Sequence, residues 1–322
     1  MKVLVTGVAG FIGMHCAQRL LARGDTVIGV DNLSTYSSVE LKRARLRLLE
    51  GGLGFRSLEL DIATAAALDR VFEEFKPEMV LHLAAQAGVR YSLENPDPYL
   101  QTNLVGFGRL LEACKRYKPK HLVFASSSSV YGANPKLPWS ESDNVDHPVS
   151  LYAATKKANE LMAHAFAHLH GVPTTGLRFF TVYGPWGRPD MSPMIFARAI
   201  MEGKSIPVFN QGDMERDFTY VDDVAEGTIR VLDQPAAGTP PYKIYNIGNH
   251  QPVKLTDYIA SLERALGKKA TLDLKPMQPG DVKSTYADTA ALKKAVGFAP
   301  STPLDAGLDK FAAWYKDYFK HG

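Results

Sequence analysis

Short apolar runs alternate with amphipathic stretches through the first half of the chain. The apolar runs predict strands over residues 2–6, 26–31, 55–62, 79–85, 121–128 and 174–180. Apolar positions at helical spacing predict helices over residues 11–23, 64–75, 97–117 and 151–170. Continuous apolar strands separated by helices are typical of a parallel sheet that is covered on both faces. With right-handed crossovers, the pattern predicts an α/β fold with a doubly wound, Rossmann-like sheet.

The pattern becomes less regular after residue 180, where prolines and glycines interrupt it. Further strands are predicted over residues 206–209, 243–247 and 270–274, and further helices over residues 255–266 and 304–319. We therefore predict a larger domain over residues 1–180 and a smaller C-terminal α/β lobe over residues 181–322. The lobe is expected to close over the carboxyl edge of the sheet, and residues 218–233 fit either domain.

The composition narrows the class of function. The chain has 322 residues, a formal net charge of +3 and no long basic tract, so nucleic acid is not expected as a partner. Its 2 cysteines belong to no C-x-x-C pair, which fits a reducing cytoplasm. Because no run of about 18 apolar residues occurs, we expect no membrane span.

A glycine-rich turn follows the first predicted strand and opens the first predicted helix. Gly7 permits the tight turn, Gly10 lets the backbone approach a pyrophosphate, and Gly13 allows close packing of helix and strand. The spacing is G-x-x-G-x-x-G, and its position in a strand–turn–helix unit predicts a dinucleotide site. Asp31 ends the second strand, where its carboxylate would accept hydrogen bonds from ribose hydroxyls. Because no Arg or Lys follows before Lys42, the sequence favours NAD over NADP.

Tyr152 and Lys156 lie four residues apart, on one face of a predicted helix. A nearby cation favours the phenolate and lowers the pKa of a tyrosine, which suits base catalysis. The same pair is also common on helix surfaces. Upstream, residues 126–129 are four serines at the end of the fifth strand, where parallel sheets place their ligand crevice.

Together these motifs resemble the extended short-chain dehydrogenase/reductases, over essentially residues 1–320. Within that group the chain most resembles the NAD-dependent UDP-glucuronate 4-epimerases. The narrower resemblance lies in residues 86–92, 179–191 and 213–223.

The motifs and the resemblance together imply the site residues. The catalytic group is expected to be Ser127, Tyr152 and Lys156, although Ser128 and Ser129 are close enough to leave the choice of serine open. Cofactor contacts are expected from Gly7, Gly10, Phe11, Ile12, Gly13, Asp31, Asn32, Asp61, Ile62, Leu83, Ala84, Ala85, Gln86, Asn103, Tyr152, Lys156 and Phe179. Substrate contacts are expected from Arg90, Ser127, Ser128, Thr181, Arg188, Arg216 and Asp281. No metal ligand is expected.

The implied reaction is epimerisation at carbon 4 of a UDP-uronate, from UDP-glucuronate to UDP-galacturonate, through a 4-keto intermediate. Arg90 and Arg188 are candidates to bind the 6-carboxylate, and Thr181 could add a hydroxyl. One departure from the family concerns the diphosphate. Related enzymes often carry an arginine where this chain has Gln278, and Lys275 or Lys283 is the expected compensation.

Several alternatives stay open. The chain could be a UDP-glucose/UDP-galactose 4-epimerase or a UDP-glucuronate decarboxylase, or, from a different class, a non-catalytic NAD-sensing protein. A 4,6-dehydratase is disfavoured, because Ser128 and Ser129 stand where those enzymes carry an acid/base pair. His164 and His168 have the spacing of zinc ligands but lack the surrounding pattern of a zinc hydrolase.

The helices over residues 97–117 and 151–170 carry apolar residues beyond one stripe. In resembling enzymes the equivalent helices form a two-fold contact, so we expect a homodimer. Met162, Phe166 and Leu169 belong either to that contact or to the core.

Overall fold

A computed structural model of the protein describes residues 1–64, 66–278 and 281–320. Its strands are β1 (Lys2–Thr6), β2 (Thr26–Asp31), β3 (Phe55–Glu59), β4 (Met79–His82), β5 (His121–Ser127), β6 (Thr174–Phe179), β7 (Thr181–Tyr183), β8 (Ser205–Val208), β9 (Glu215–Tyr220), β10 (Tyr242–Ile247), β11 (Pro252–Lys254) and β12 (Thr271–Leu274). Its α-helices are α1 (Phe11–Ala22), α2 (Val39–Arg47), α3 (Ala67–Phe75), α4 (Tyr91–Glu94), α5 (Asp97–Tyr99), α6 (Phe107–Tyr117), α7 (Leu151–His170), α8 (Ser192–Met201), α9 (Val221–Leu232), α10 (Leu255–Leu266), α11 (Ala290–Val296) and α12 (Leu304–Tyr318).

The described residues form a large parallel sheet with the strand order β10-β6-β5-β4-β1-β2-β3. All six pairings in this sheet are parallel. Because the chain runs outward from β1 in both directions, the order reverses between β1 and β4. Ligands of doubly wound sheets bind beyond the carboxyl ends of the strands at such a reversal. The predicted fold class is confirmed.

Successive side chains of the central strands point to opposite faces of the sheet, so they belong to two different hydrophobic cores. Val3 and Val5 of β1 belong to one buried cluster, which includes α1 and α9. Leu4, between them, belongs to another cluster with α3 and α6. Burial on both faces explains why these strands are continuously apolar rather than alternating.

The position of strand β10 differs from the one predicted from the sequence. Residues 243–247 were expected in the smaller lobe, but β10 pairs with β6 at the edge of the large sheet. Its residues Tyr242 to Tyr245 are only partly buried or exposed. The strand therefore lacks the continuous apolar run that identifies the central strands.

The long helix predicted over residues 97–117 is divided. Its middle, Leu100–Gly106, is a π-helix that separates α5 from α6. Within it, Asn103 uses its side chain to hold the main chain of Gln86 at both the amide and the carbonyl. Such π-helical segments are often found at functional sites.

The remaining strands form two smaller sheets with the orders β11-β9-β7 and β12-β8. Strand β7 follows β6 directly and pairs in parallel with β9. Helix α9 then packs against α1. In the part of the chain that the structure describes, no helix combines the length and apolarity needed to cross a membrane.

Candidate active site

A cavity of about 860 Å³ opens beyond the carboxyl ends of the large sheet. Its lining comes from the turn after β1, the ends of β2, β4, β5 and β6, and the segments after β7 and β8. Of the predicted site residues, all but Asp61 and Asn103 line this cavity. The sequence prediction therefore converges on one place.

The glycine turn is as tight as its sequence predicts. Gly7 has φ +74°, and a Cβ there would lie 2.6 Å from the amide nitrogen of Ala84. A Cβ at Gly13 would lie 2.1 Å from the carbonyl oxygen of Gly7. The turn ends at Gly10, the N-cap of α1, so the helix N-terminus faces the cavity. The backbone N–H groups at a helix N-terminus bind a pyrophosphate favourably, and the glycines place no side chain in its way.

Asp31, the last residue of β2, also lines the cavity. Its carboxylate accepts hydrogen bonds from the amides of Ala9 at 3.1 Å and Leu33 at 2.9 Å. Burial raises the pKa of Asp31, and the two amides and the charge of Lys42 oppose that rise. The glycine cradle and a carboxylate at the end of β2 fit an adenine dinucleotide with free ribose hydroxyls.

The other predicted cofactor residues divide into two groups. Leu83, Ala84 and Ala85 line the cavity along the segment after β4. Asp61 lies outside the lining and accepts hydrogen bonds from Asn32 and from the amide of Ala63. Asn103 is also outside the lining.

Asn103 is 2% exposed, and its side-chain amide also donates to Thr155 at 3.0 Å. It therefore positions Gln86 from behind rather than facing the cavity.

Tyr152, Lys156 and Ser127 line the same cavity. Ser150 caps the helix α7, so that Tyr152 lies in its first turn. Ser127 ends β5, and its hydroxyl is hydrogen-bonded to Tyr152. Lys156 is 2% exposed and donates from Nζ to the carbonyl oxygen of Ala125 at 2.9 Å.

The ionisation of Tyr152 depends on a residue that the sequence did not connect with it. Burial raises the pKa of the phenol, while the charge of Arg188 and the hydrogen bond from Ser127 lower it. Burial also lowers the pKa of Lys156, the cation predicted from the sequence, to about 8. The pKa of Tyr152 is raised overall by burial, and the charge of Arg188 is the largest influence that opposes this rise.

The four serines at residues 126–129 differ in their hydrogen-bond partners. Ser126 points away from the centre and donates to Glu160 at 2.6 Å in a buried site. Glu160 in turn forms a buried ion pair with Arg178 at 2.8 Å. Ser129 donates to the hydroxyl of Ser127 at 3.0 Å. This arrangement leaves Ser127 as the serine in contact with Tyr152.

Arg188 is held by a carboxylate of its own loop. Its Nε and Nη2 donate to the two oxygens of Asp190 at 3.1 Å and 2.5 Å. The hydroxyl of Tyr36 donates to Asp190 at 2.9 Å. Burial would raise the pKa of Asp190, but the charge of Arg188 holds it below its ordinary value. Asp190 thus orients the guanidinium of Arg188 in the cavity that Tyr152 also lines.

Arg90 lies in a different part of the cavity from Arg188. Its guanidinium is 4.9 Å from the centre of the Phe209 ring and 3.6 Å from Asp281. Arg216 donates to the same Asp281 carboxylate at 2.8 Å. Burial lowers the pKa of Arg216, and Asp281 opposes this. Two cations, a carboxylate and an aromatic ring form a group suited to a nucleotide diphosphate.

The lysines expected to compensate for Gln278 lie outside the cavity lining. Lys275 pairs with Asp273 at 2.8 Å and Lys283 pairs with Asp213 at 2.7 Å, and neither lysine lines the cavity. Arg90 and Arg216 are the cations in that region. The neighbouring positions 279 and 280, also expected at the nucleotide, lie outside the described residues.

Among the lining residues that the sequence reasoning missed are Tyr36, Arg45 and Asp190. Tyr36 and Arg45 belong to segments with no recognisable motif. Asp190 lay inside the segment that carries the resemblance, but received no role. Only their contacts across the fold reveal them.

A dinucleotide cradle, a Ser–Tyr–Lys group and an adjoining cationic pocket define an enzyme of the short-chain dehydrogenase/reductase class. Residues 3–248 match the model of the NAD dependent epimerase/dehydratase family, so the chain belongs to that family. The predictions of the family and of NAD as its cofactor are confirmed.

The chain is similar to named enzymes over its full length. It is 46% identical to a probable UDP-glucuronate 4-epimerase of Rhizobium meliloti, covering 99% of this chain and 98% of the relative. It is 48% identical to UDP-glucuronate 4-epimerase 3 of Arabidopsis thaliana, covering 100% of this chain and 78% of the relative. The solved structure of UDP-glucuronic acid 4-epimerase from Bacillus cereus, in complex with UDP-glucuronic acid and NAD, superposes with a TM-score of 0.92. That structure is 34% identical, and the match covers 99% of this chain and 100% of the other.

Proposed function

We propose that this protein is an NAD-dependent isomerase that interconverts UDP-glucuronate and UDP-galacturonate by epimerisation at carbon 4. The observation that carries the proposal is Arg188, a guanidinium that is oriented by Asp190 and lines the cavity together with Tyr152, on whose phenol its charge acts. A uronate places a carboxylate two carbons from the reacting carbon, where such a donor is needed. The similarity to UDP-glucuronate 4-epimerases along the whole chain supports the same substrate.

When bound, NAD⁺ would supply the redox chemistry of the reaction, as acceptor and then donor of the hydride of carbon 4. Tyr152 acts as the base that removes the proton from the 4-hydroxyl, and returns it in the second half-reaction. Ser127 hydrogen-bonds the same phenol and steadies the oxygen at carbon 4. Lys156, fixed at Ala125, holds the cofactor ribose.

Arg188, Thr181 and Ser128 surround the sugar carboxylate in this proposal. All three line the cavity that also contains Tyr152. Because a 4-keto uronate is a β-keto acid, it can lose carbon dioxide. A carboxylate held firmly by a guanidinium and hydroxyls is the arrangement that opposes this loss.

Arg216 and Asp281 hold the nucleotide, and Arg90 joins them rather than the carboxylate. The contact of Arg90 with Phe209 and Asp281 supports this assignment. It leaves Arg188 as the specificity residue for the uronate. The two predicted carboxylate ligands therefore receive different roles.

The test is an assay of the purified protein, without added cofactor, on UDP-glucuronate and UDP-glucose in parallel. We expect conversion of UDP-glucuronate to UDP-galacturonate, identified by chromatography of the products. Conversion of the neutral sugar alone would reject the uronate assignment, and a pentose nucleotide as product would indicate a decarboxylase. Bound NAD without turnover of either sugar would favour the NAD-sensing alternative.

We further propose a cytoplasmic homodimer. The apolar side chains Leu161 and Leu169 of α7 are 60% and 70% exposed, which supports a covered face there. The two cysteines are unpaired and buried, as suits a reducing compartment. Light scattering should give twice the chain mass, and Leu161→Lys should reduce it to one chain while Leu53→Lys, at a fully exposed site elsewhere, should not.

A further inference from the structure

A contact between two distant loops crosses the edge of the large sheet. Tyr36 follows β2 on the adenosine side of the cavity, and Asp190 follows β7 on the side of Tyr152. The phenol of Tyr36 donates to Asp190 at 2.9 Å. In the strand order, β1, β4 and β5 lie between β2 and β6, which continues into β7. The contact therefore spans the ends of the strands that form the cofactor crevice.

Gly88, in the segment after β4, shows how closely the contact lies over that crevice. A Cβ at Gly88 would be 2.4 Å from the hydroxyl of Tyr36. The ring of Tyr36 is also fixed from the side, since its centre is 4.7 Å from that of Tyr91. The hydroxyl of Tyr36 is thus placed directly above the segment that lines the cofactor site.

The loop that carries Asp190 is anchored at its other flank by a buried arginine. Arg45, 2% exposed, donates to the carbonyl oxygens of Trp186 at 2.7 Å and Gly187 at 3.0 Å. It also donates to the carbonyl of Ala9 in the glycine turn at 3.0 Å. Since this anchor is buried and the contact of Tyr36 with Asp190 is partly exposed, the second contact is the one that can open.

We propose that Tyr36 and Asp190 form a latch across the cofactor crevice, which slows the release of NAD between the two half-reactions. The inference rests on the proposed epimerase function, because an enzyme that returns a hydride to the same sugar has to retain its reduced cofactor. If reduced cofactor left after the first half-reaction, the 4-keto sugar would have no hydride donor. Arg188 pairs with the same Asp190, so the latch also keeps the loop of the carboxylate site in place.

The test compares the release of NAD from the wild-type protein with that from Tyr36→Phe. The substitution removes the hydroxyl and keeps the ring that packs on Tyr91. Tyr117→Phe is the matched control, because Tyr117 also donates to a carboxylate, Glu73 at 3.0 Å, outside the cavity lining. Protein loaded with NAD is diluted into cofactor-free buffer that contains an NAD-reducing dehydrogenase with its substrate, and free NAD is followed by absorbance.

We expect release to be about tenfold faster from Tyr36→Phe, the factor that one hydrogen bond to a charged acceptor supplies. Tyr117→Phe should release NAD at the wild-type rate. During epimerisation without added NAD, Tyr36→Phe should lose activity with time, and added NAD should restore it. Equal release rates for all three proteins would overturn the latch.

The release measurement separates the latch from the proposed function. A wild-type protein that retains NAD but converts no UDP-glucuronate would reject the epimerase function. The comparison of release rates would still decide whether Tyr36 retains the cofactor.

Discussion

Arg188 and Tyr152 line the same cavity, and the charge of Arg188 is the largest influence that lowers the pKa of the phenol against the effect of burial. The same guanidinium is oriented by Asp190. One arginine can therefore bind the carboxylate of a uronate and assist ionisation of the catalytic base. Replacement of Arg188 should therefore change both kcat/KM and the pH profile.

Replacement of Arg188 by methionine should lower kcat/KM for UDP-glucuronate by about 100-fold, because a charge-assisted donor to the carboxylate is lost. The acid limb of the pH profile should also move to higher pH, since the pKa of Tyr152 is no longer lowered by this cation. Kinetics between pH 6 and pH 9 measure both effects.

Arg90→Met provides the control for this variant. Arg90 contacts Phe209 and Asp281, so its loss should weaken binding of the nucleotide without moving the pH profile. An unchanged profile in Arg188→Met would show that this arginine does not act on the base.

Replacement of Tyr152 by phenylalanine should reduce kcat by about 1,000-fold or more, because the proton of the 4-hydroxyl loses its acceptor. The variant should still bind NAD and UDP-glucuronate, as measured by calorimetry. Activity within a few-fold of the wild type would remove Tyr152 as the base.

The serine that assists Tyr152 can be identified by comparing two single substitutions. Ser127→Ala removes the hydroxyl in contact with the phenol and should lower kcat by about 10- to 100-fold. Ser129→Ala removes only a donor to Ser127 and should cost less than about tenfold. A larger loss in Ser129→Ala than in Ser127→Ala would reassign the role.

Stability should fall as the pH drops below about 6.5, because two histidines are buried in the neutral form. Burial lowers the pKa of His82 to about 3 and that of His121 to about 4. Between these values and the unfolded pKa of about 6.5, the unfolded chain binds more protons than the folded one. Each histidine should therefore cost about 2 kcal/mol of unfolding free energy at pH 5 relative to pH 7.

Urea unfolding of His121→Gln measures this effect. The variant should lose about 2 kcal/mol less than the wild type between pH 7 and pH 5, whatever its stability at pH 7. His168→Gln, at an exposed position of α7, should follow the wild-type curve. Parallel curves for all three proteins would contradict the assignment to His121.

Local sequence was sufficient for the elements that build the cofactor half of the site. The turn around Gly7 is fixed by contacts that no side chain tolerates, and Asp31 ends a strand that its own apolar run identifies. The helix α7 also has its predicted bounds, because Ser150 caps it and Gly171 ends it in the left-handed conformation. Such signals lie within a few residues of the feature they determine.

By itself, the sequence determined the parallel sheet, the dinucleotide turn and the pairing of Tyr152 with Lys156 on one helix, because each depends on short-range periodicity and steric limits. Only the tertiary structure decided that β10 completes the sheet and that the charge of Arg188 acts on the phenol of Tyr152. It also decided that Tyr36 meets Asp190 across the crevice. These relationships join residues far apart in the chain, and their energies depend on distance and burial, which no local pattern of residues encodes.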